Sequence, residues 1–165
     1  MRRVSIALVA TLLLAGCGTQ QSSSPSPAPA TADALGAGPR HNDADVAFVR
    51  ALIPHHQQGI ALASAAAAEN PQARTLAEAI IVTQQDEAVR MTGWLTTWGV
   101  APPPSAAPAP PAGDPVQALI SHQEKAVELA QQEQANGANL TALAFAKQII
   151  ESRTGEIAQL STYRD

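Results

Sequence analysis

The chain writes one helical hairpin twice. Val49, Leu52, Ile53, His55, Ile60 and Ala63 recur as Val116, Leu119, Ile120, His122, Val127 and Ala130 at a constant offset of 67. Further on, Ile80, Ile81, Glu87 and Met91 recur as Ile149, Ile150, Glu156 and Leu160 at an offset of 69. Within each copy apolar residues return every three or four positions, no stretch alternates with period two, and alanine is abundant, which predicts helices throughout. A lone αα-hairpin cannot cover its own apolar face, so the two copies must close on each other. The prediction is an all-α fold in which a duplicated αα-hairpin makes a pseudo-twofold four-helix bundle.

Capping residues place the ends. Asn42 or Asp43 can open the first helix, Asn70-Pro71 offers a cap and a first-turn proline for the second, and Asp114-Pro115 does the same for the third. Asn136-Gly137 closes the third helix and Asn139 can cap the fourth. The helix pairs are thus expected over residues 43–98 and 114–163 of a domain covering 41–165. The connector, residues 99–113, contains VAPPPSAAPAPPA and cannot continue a helix, so a semi-rigid extended segment is expected there.

Residues 1–16 read as a secretory signal peptide: Met1-Arg2-Arg3, then an apolar run from Val4 to Ala15 too short to span a bilayer permanently. Its ending, Leu14-Ala15-Gly16-Cys17, resembles the bacterial lipoprotein lipobox. That resemblance implies a lipid on Cys17, a membrane as partner, and an exported chain held at the extracytoplasmic face. Cys17 is the single cysteine, so no intrachain disulfide can form. Residues 17–40 are rich in Ser, Pro, Ala and Gly and read as a disordered tether. The chain has 10 Lys and Arg against 14 Asp and Glu, and loss of Arg2 and Arg3 with the leader leaves 8, a net charge of −6. Without a basic cluster, nucleic acid is excluded as a partner.

The apolar stripes are interrupted at one place each. Helix 1 carries His55 and His56 directly after Pro54, helix 2 carries Gln84 and Glu87, helix 3 carries His122 and Gln123, and helix 4 carries Arg153 and Glu156. At ~1.5 Å per residue all eight lie roughly 20 to 28 Å from the turn of their own hairpin. They are therefore expected on one level of the bundle. Imidazoles and carboxylates on facing helices are the donor set of bundle metal sites, and a metal would offset the cost of burying them. Alternatively the layer satisfies itself, with His55 or His56 bonded to Glu87 and Arg153 to Glu156. A guanidinium beside a divalent cation is repulsive, which favours the second arrangement.

Asp45-x-x-Phe48, the IPHHQQGIALA block, the run from Gln84 and Glu87 through Met91 to Trp94-Leu95, the ALISHQEKAVELA block and Gln148-Ile149-Ile150 to Glu156 together resemble the domain-of-unknown-function 305 family of exported bacterial proteins. The resemblance covers essentially the whole domain. It implies a ferritin-like bundle and, by analogy with some members, copper binding or copper tolerance. The metal ligands it implies are His55, His56, Glu87, Met91, His122 and Glu156, leaving Gln84, Gln123 and Arg153 as the rest of the polar layer. Two departures stand out: Ala51, Leu52, Leu62, Leu119 and Leu129 occupy places where the family has methionine, and the second block reads His122-Gln123. Fewer thioethers weaken selection for Cu(I) and raise the standing of a harder ion such as Zn(II) or Cu(II).

Two functions fit these residues. One is a lipid-anchored protein of the cell envelope that sequesters or handles a metal, copper or zinc. The other is a structural or interaction bundle whose partner is another envelope protein. The sequence has no Ser-His-Asp pattern, no glycine-rich phosphate loop and no Glu-x-x-His pair, so catalysis is not expected.

Overall fold

The computed structural model describes residues 36–105, 107–109 and 112–164. The leader, Cys17 and the tether before residue 36 lie outside them. Four helices follow in order: α1 (Asp43–Glu69), α2 (Arg74–Thr97), α3 (Pro115–Asn136) and α4 (Leu140–Ser161), with no strand among the described residues.

Three helices start where their caps direct. The Asn42 side chain accepts from the N–H groups of Ala44 and Asp45, and Asp45 returns a bond to the Asn42 N–H, a reciprocal capping box. Asp114 accepts from the Val116 N–H with Pro115 in the first turn of α3, and Asn139 accepts from Thr141 and Ala142 at the start of α4. The second helix differs from expectation. Asn70 does accept from Gln72 and Ala73, but it is also the residue that ends α1, so its side chain closes an intervening turn and α2 begins only at Arg74. Pro54 sits inside α1, which continues unbroken to Glu69.

Two long-range bonds fix the topology. The Asn42 amide donates to the Asn136 carbonyl, tying the start of α1 to the end of α3, and the Asn70 amide donates to the Tyr163 carbonyl, tying the end of α1 to the end of α4. Hence α1 and α3 run antiparallel, and the connector must travel the length of the bundle. Gln58 clamps it midway, donating to the Ala109 carbonyl at 2.8 Å and accepting from the Ala109 N–H at 2.7 Å. Gly99 and Gly113, at φ 69° and 77°, turn the chain into and out of this crossover, a conformation that favours glycine. Two antiparallel pairs joined by one long crossover is the ferritin-like arrangement.

The apolar interior is divided. One cluster gathers Phe48, Val49, Leu52, Ile53, Met91, Trp94, Leu95, Phe145 and Ile149 with their neighbours. The other gathers Leu62, Ala63, Ala66, Ile80, Val116, Leu119, Ile120 and Leu160. Along every helix the residues between the two clusters are those of the polar layer. Residues 36–40, expected to belong to the tether, are instead fastened to the first cluster: Ala37 is buried in it, and the Trp98 indole donates to the Gly38 carbonyl.

Candidate functional site

The eight polar side chains do meet, and the duplication shows in how they bond. His56 Nε2 donates to Glu87 Oε2 at 2.7 Å, and the matching pair in the second copy, Gln123 and Glu156, is bonded in the same way. His55 and its counterpart His122 lie flat on each other, ring centroids 3.6 Å apart and planes 7° from parallel. His55 Nε2 donates to the His122 carbonyl at 3.1 Å.

Two further bonds cross between the copies. Arg153, fully buried, reaches from α4 to Glu87 on α2 through Nη2, and its Nη1 holds Glu156 Oε1 at 3.0 Å. Gln84, which occupies the equivalent place in the first copy, instead donates to Gln123 Oε1 at 3.1 Å. Arg153 therefore faces into the layer and binds both carboxylates at once. A cation shared by two acids is the arrangement in which buried charges are tolerated.

The layer nonetheless leaves polar atoms unpaired. His56 Nδ1, Gln84 Oε1, His122 Nε2 and Arg153 Nε are buried without a hydrogen-bond partner. Gln84 Oε1 and His122 Nε2 converge at Gly59: a Cβ there would lie 2.1 Å from the first and 2.7 Å from the second. Glycine is required at this point of α1 because two polar atoms occupy the space of its missing side chain. Each buried orphan of this kind costs roughly 1 to 3 kcal/mol.

Burial sets the charge states. It pushes His55 down to about 4, aided by the neighbouring His56, and His122 down to about 3, aided by His55. Burial also lowers His56, although the Glu87 carboxylate opposes it. All three imidazoles are thus neutral at pH 7, the form in which imidazole offers a lone pair. Burial raises Glu156, against the pull of Arg153.

The residues implied by the resemblance divide accordingly. His55 joins His122, His56 joins Glu87, and Glu156 joins the same network through Arg153 and Gln123. Met91 lies in the apolar cluster with Trp94 and Leu95. Among the described residues no group of three or more His, Cys, Asp or Glu is arranged to hold a metal ion.

Sequence reasoning assigned no role in the site to Gly59 and missed the pair Asp45 and Glu133 at the first-cluster end of the bundle, both fully buried. The offset of 67 held a clue to the second: Glu133 stands where the first copy has Ala66, an acid on an otherwise apolar stripe.

Known structures share this architecture. CopM in its Cu(I)-bound form superposes with a TM-score of 0.62 at 29% identity, covering 72% of this chain and 94% of that one. CopM soaked with silver gives 0.63 at 28% identity, covering 72% and 93%. A DUF305 fragment from Deinococcus radiodurans gives 0.64 at 22% identity, covering 75% and 97%. No curated protein matches the chain. The description "Domain of unknown function (DUF305)" matches residues 45–114 and 112–164, so both hairpins are accounted for and the chain belongs to the DUF305 family.

Proposed function

We propose that this protein handles copper as Cu(I), taking it at the imidazole side of the polar layer. The observation that carries the reading is the convergence of His122 Nε2 and Gln84 Oε1 on Gly59, two buried polar atoms without a hydrogen-bond partner, beside the neutral ring of His55. A neutral imidazole suits copper, and a monovalent ion meets less repulsion from Arg153 than a divalent one. The carboxylates that would favour Zn(II) are engaged by Arg153. CopM, the similar structure, is described in Cu(I)- and silver-bound forms, which supports copper over zinc. In this reading the protein sequesters or passes on the ion without a catalytic step. It does so from the extracytoplasmic face of the membrane, anchored by lipid on Cys17.

Titration of metal-free protein with Cu(I), using a competing chromophoric chelator, tests the binding. One equivalent is expected to bind, His122→Leu to weaken it at least tenfold, and Zn(II) to fail to compete. Binding no tighter than ~100 μM, about 5.5 kcal/mol, overturns the reading. Cys17→Ser is expected to release the protein from the membrane fraction.

A second reading rests on Arg153. Because it satisfies Glu87 and Glu156, the layer can serve as a register device that prevents the hairpins from sliding, with an envelope protein as partner. Under that reading His122→Leu alters stability and no metal binds.

A further inference from the structure

A second buried polar group, remote from the layer, sits where the start of α1 meets the turn between α3 and α4. Asp45 and Glu133 are 0% and 1% exposed. Asp45 is saturated with donors: the N–H groups of Asn42, Ala138 and Asn139 all point at its carboxylate, the last at 2.9 Å. Glu133 is the opposite case. Neither of its oxygens meets an N–H or O–H donor from the rest of the described chain, and its side chain packs against Gly137, where a Cβ would lie 2.3 Å from Oε1.

Two ionised carboxylates side by side in an interior cannot both persist without a cation. The charged group that faces Glu133 is Asp45 on α1. The α3–α4 turn offers it only the Gly137 backbone, while the N–H groups of Ala138 and Asn139 are spent on Asp45. The strap of residues 36–40 presents carbonyls, those of Ala37 and Arg40, to the Asn139 amide. Among the described residues no Lys or Arg ion pair reaches either acid.

We infer that Glu133 is held as a neutral carboxylic acid whose O–H donates to the Asp45 carboxylate, and that this one proton latches the strap to the bundle. The connection is continuous. Glu133 fixes Asp45, Asp45 fixes the Asn139 N–H, and the Asn139 side chain grips the strap through the Ala37 and Arg40 carbonyls. The titration behaviour agrees: burial first, then the hydrogen bond and charge of Asp45, push Glu133 up to about 8. Burial pulls Asp45 upward too, but the Glu133 bond and the three N–H groups outweigh it and hold that residue low. Removal of the proton places a second negative charge against Asp45 and loosens the grip on the strap. The latch is therefore closed at neutral pH and released in alkali, and it controls how firmly the domain holds the chain leading to its N-terminus.

Infrared spectra of the whole protein in D2O, followed from pH 6 to 10, test this directly. A C=O stretch of a protonated carboxyl is expected at pH 7, half-lost near pH 8, gone by pH 10 and weakened by the Glu133 contribution in Glu133→Gln. The Trp98 indole N–H, which bonds the Gly38 carbonyl, reports the strap by NMR. Its exchange is expected to rise at least tenfold between pH 7 and pH 9.5 beyond the intrinsic base-catalysed increase, and Glu133→Gln, whose amide donates to Asp45 at every pH, is expected to suppress that extra rise. A wild-type spectrum without a protonated carboxyl at pH 7 overturns the inference, as does an indole that opens equally in Glu133→Gln. Binding of millimolar Ca(II) at pH 7 that erases the protonated-carboxyl band while tightening the strap would also overturn the proton assignment, marking the pair as a cation site.

Discussion

His55 and His122 stack across an offset of 67 residues, so the two imidazoles lie close to the axis that relates one hairpin to the other. Around that contact the matched pairs repeat faithfully, His56 with Glu87 and Gln123 with Glu156. Gln123 replaces the matching histidine but keeps its bond to the acid, whereas at the third pair of positions, Gln84 and Arg153, the bonding itself differs. Arg153 supplies the internal cation for Glu87 and Glu156, and Gln84 supplies none.

Arg153 is expected to be the most sensitive residue of the layer. Arg153→Gln leaves buried Glu87 and half-buried Glu156 without their cation and should destabilise the metal-free protein by about 3 to 5 kcal/mol at pH 7. Urea denaturation measures it. If the site lies beside Arg153, the same variant should bind Cu(I) more tightly despite its lower stability, a combination that general unfolding cannot produce.

Gly59 and Gly93 should respond in opposite directions to alanine. A Cβ at Gly59 strikes Gln84 and His122, so Gly59→Ala should cost about 1 to 3 kcal/mol. Gly93, within α2, has open space where its Cβ would stand, so Gly93→Ala should stabilise by about 0.5 to 1 kcal/mol. Paired denaturation curves decide both.

Stability should peak near pH 6.5 in chelator-treated protein. His55 and His122 titrate at about 4 and about 3 in the folded chain against an ordinary 6.5, so their contribution is full above pH 6.5 and is lost as pH falls toward those values. His56 acts in the same sense. Glu133, at about 8 against 4.5, contributes fully below pH 4.5 and loses its contribution as pH rises to 8, and Glu156, also raised, acts in the same sense. Between 4.5 and 6.5 three imidazoles oppose two carboxyls and stability rises with pH. Above 6.5 the imidazoles no longer contribute, and the continuing loss from Glu133 makes it fall. Urea midpoints across pH 4 to 9 check the shape, and Glu133→Gln should flatten the alkaline limb and steepen the acid one.

Much of this was legible before any coordinates. The caps at Asn42, Asp114 and Asn139 are local, and so is the end of α3 at Gly137; each needs only its own neighbours. The polar layer was legible because the two hairpins repeat and both interruptions fall near mid-helix. Since α1 and α3 run antiparallel, the distances counted from the two turns start at opposite ends of the bundle and still meet in its middle. Asn70 misled because one side chain faced two tasks, and ending α1 left it capping a turn instead of α2. The direction of Arg153 was beyond the sequence, as its partner Glu87 lies 66 residues away on another helix. The packing of Ala37 was equally hidden, because its composition is that of a tether and its burial depends on Asn139 and Trp98.

Gln58 should matter to protection more than to stability. The residue is half-buried but its bonds to Ala109 are open to solvent, so Gln58→Ala should change the unfolding free energy by less than about 1 kcal/mol. Limited proteolysis of the crossover should nevertheless become several-fold faster, since both hydrogen bonds to Ala109 are lost.

The same crossover makes the protein an internal heterodimer. Both apolar clusters and the polar layer are built mainly from helices, while among its described residues the segment joining the hairpins adds Val100 to the edge of the first cluster and is hydrogen-bonded to α1 through the Gln58 amide. Two separately expressed pieces, broken within the proline run, should therefore find each other and rebuild the fold. At high concentration the second hairpin of one molecule can close on the first hairpin of another, so that a swapped dimer would carry two copies of the same His55 and His122 stack, each assembled from different chains.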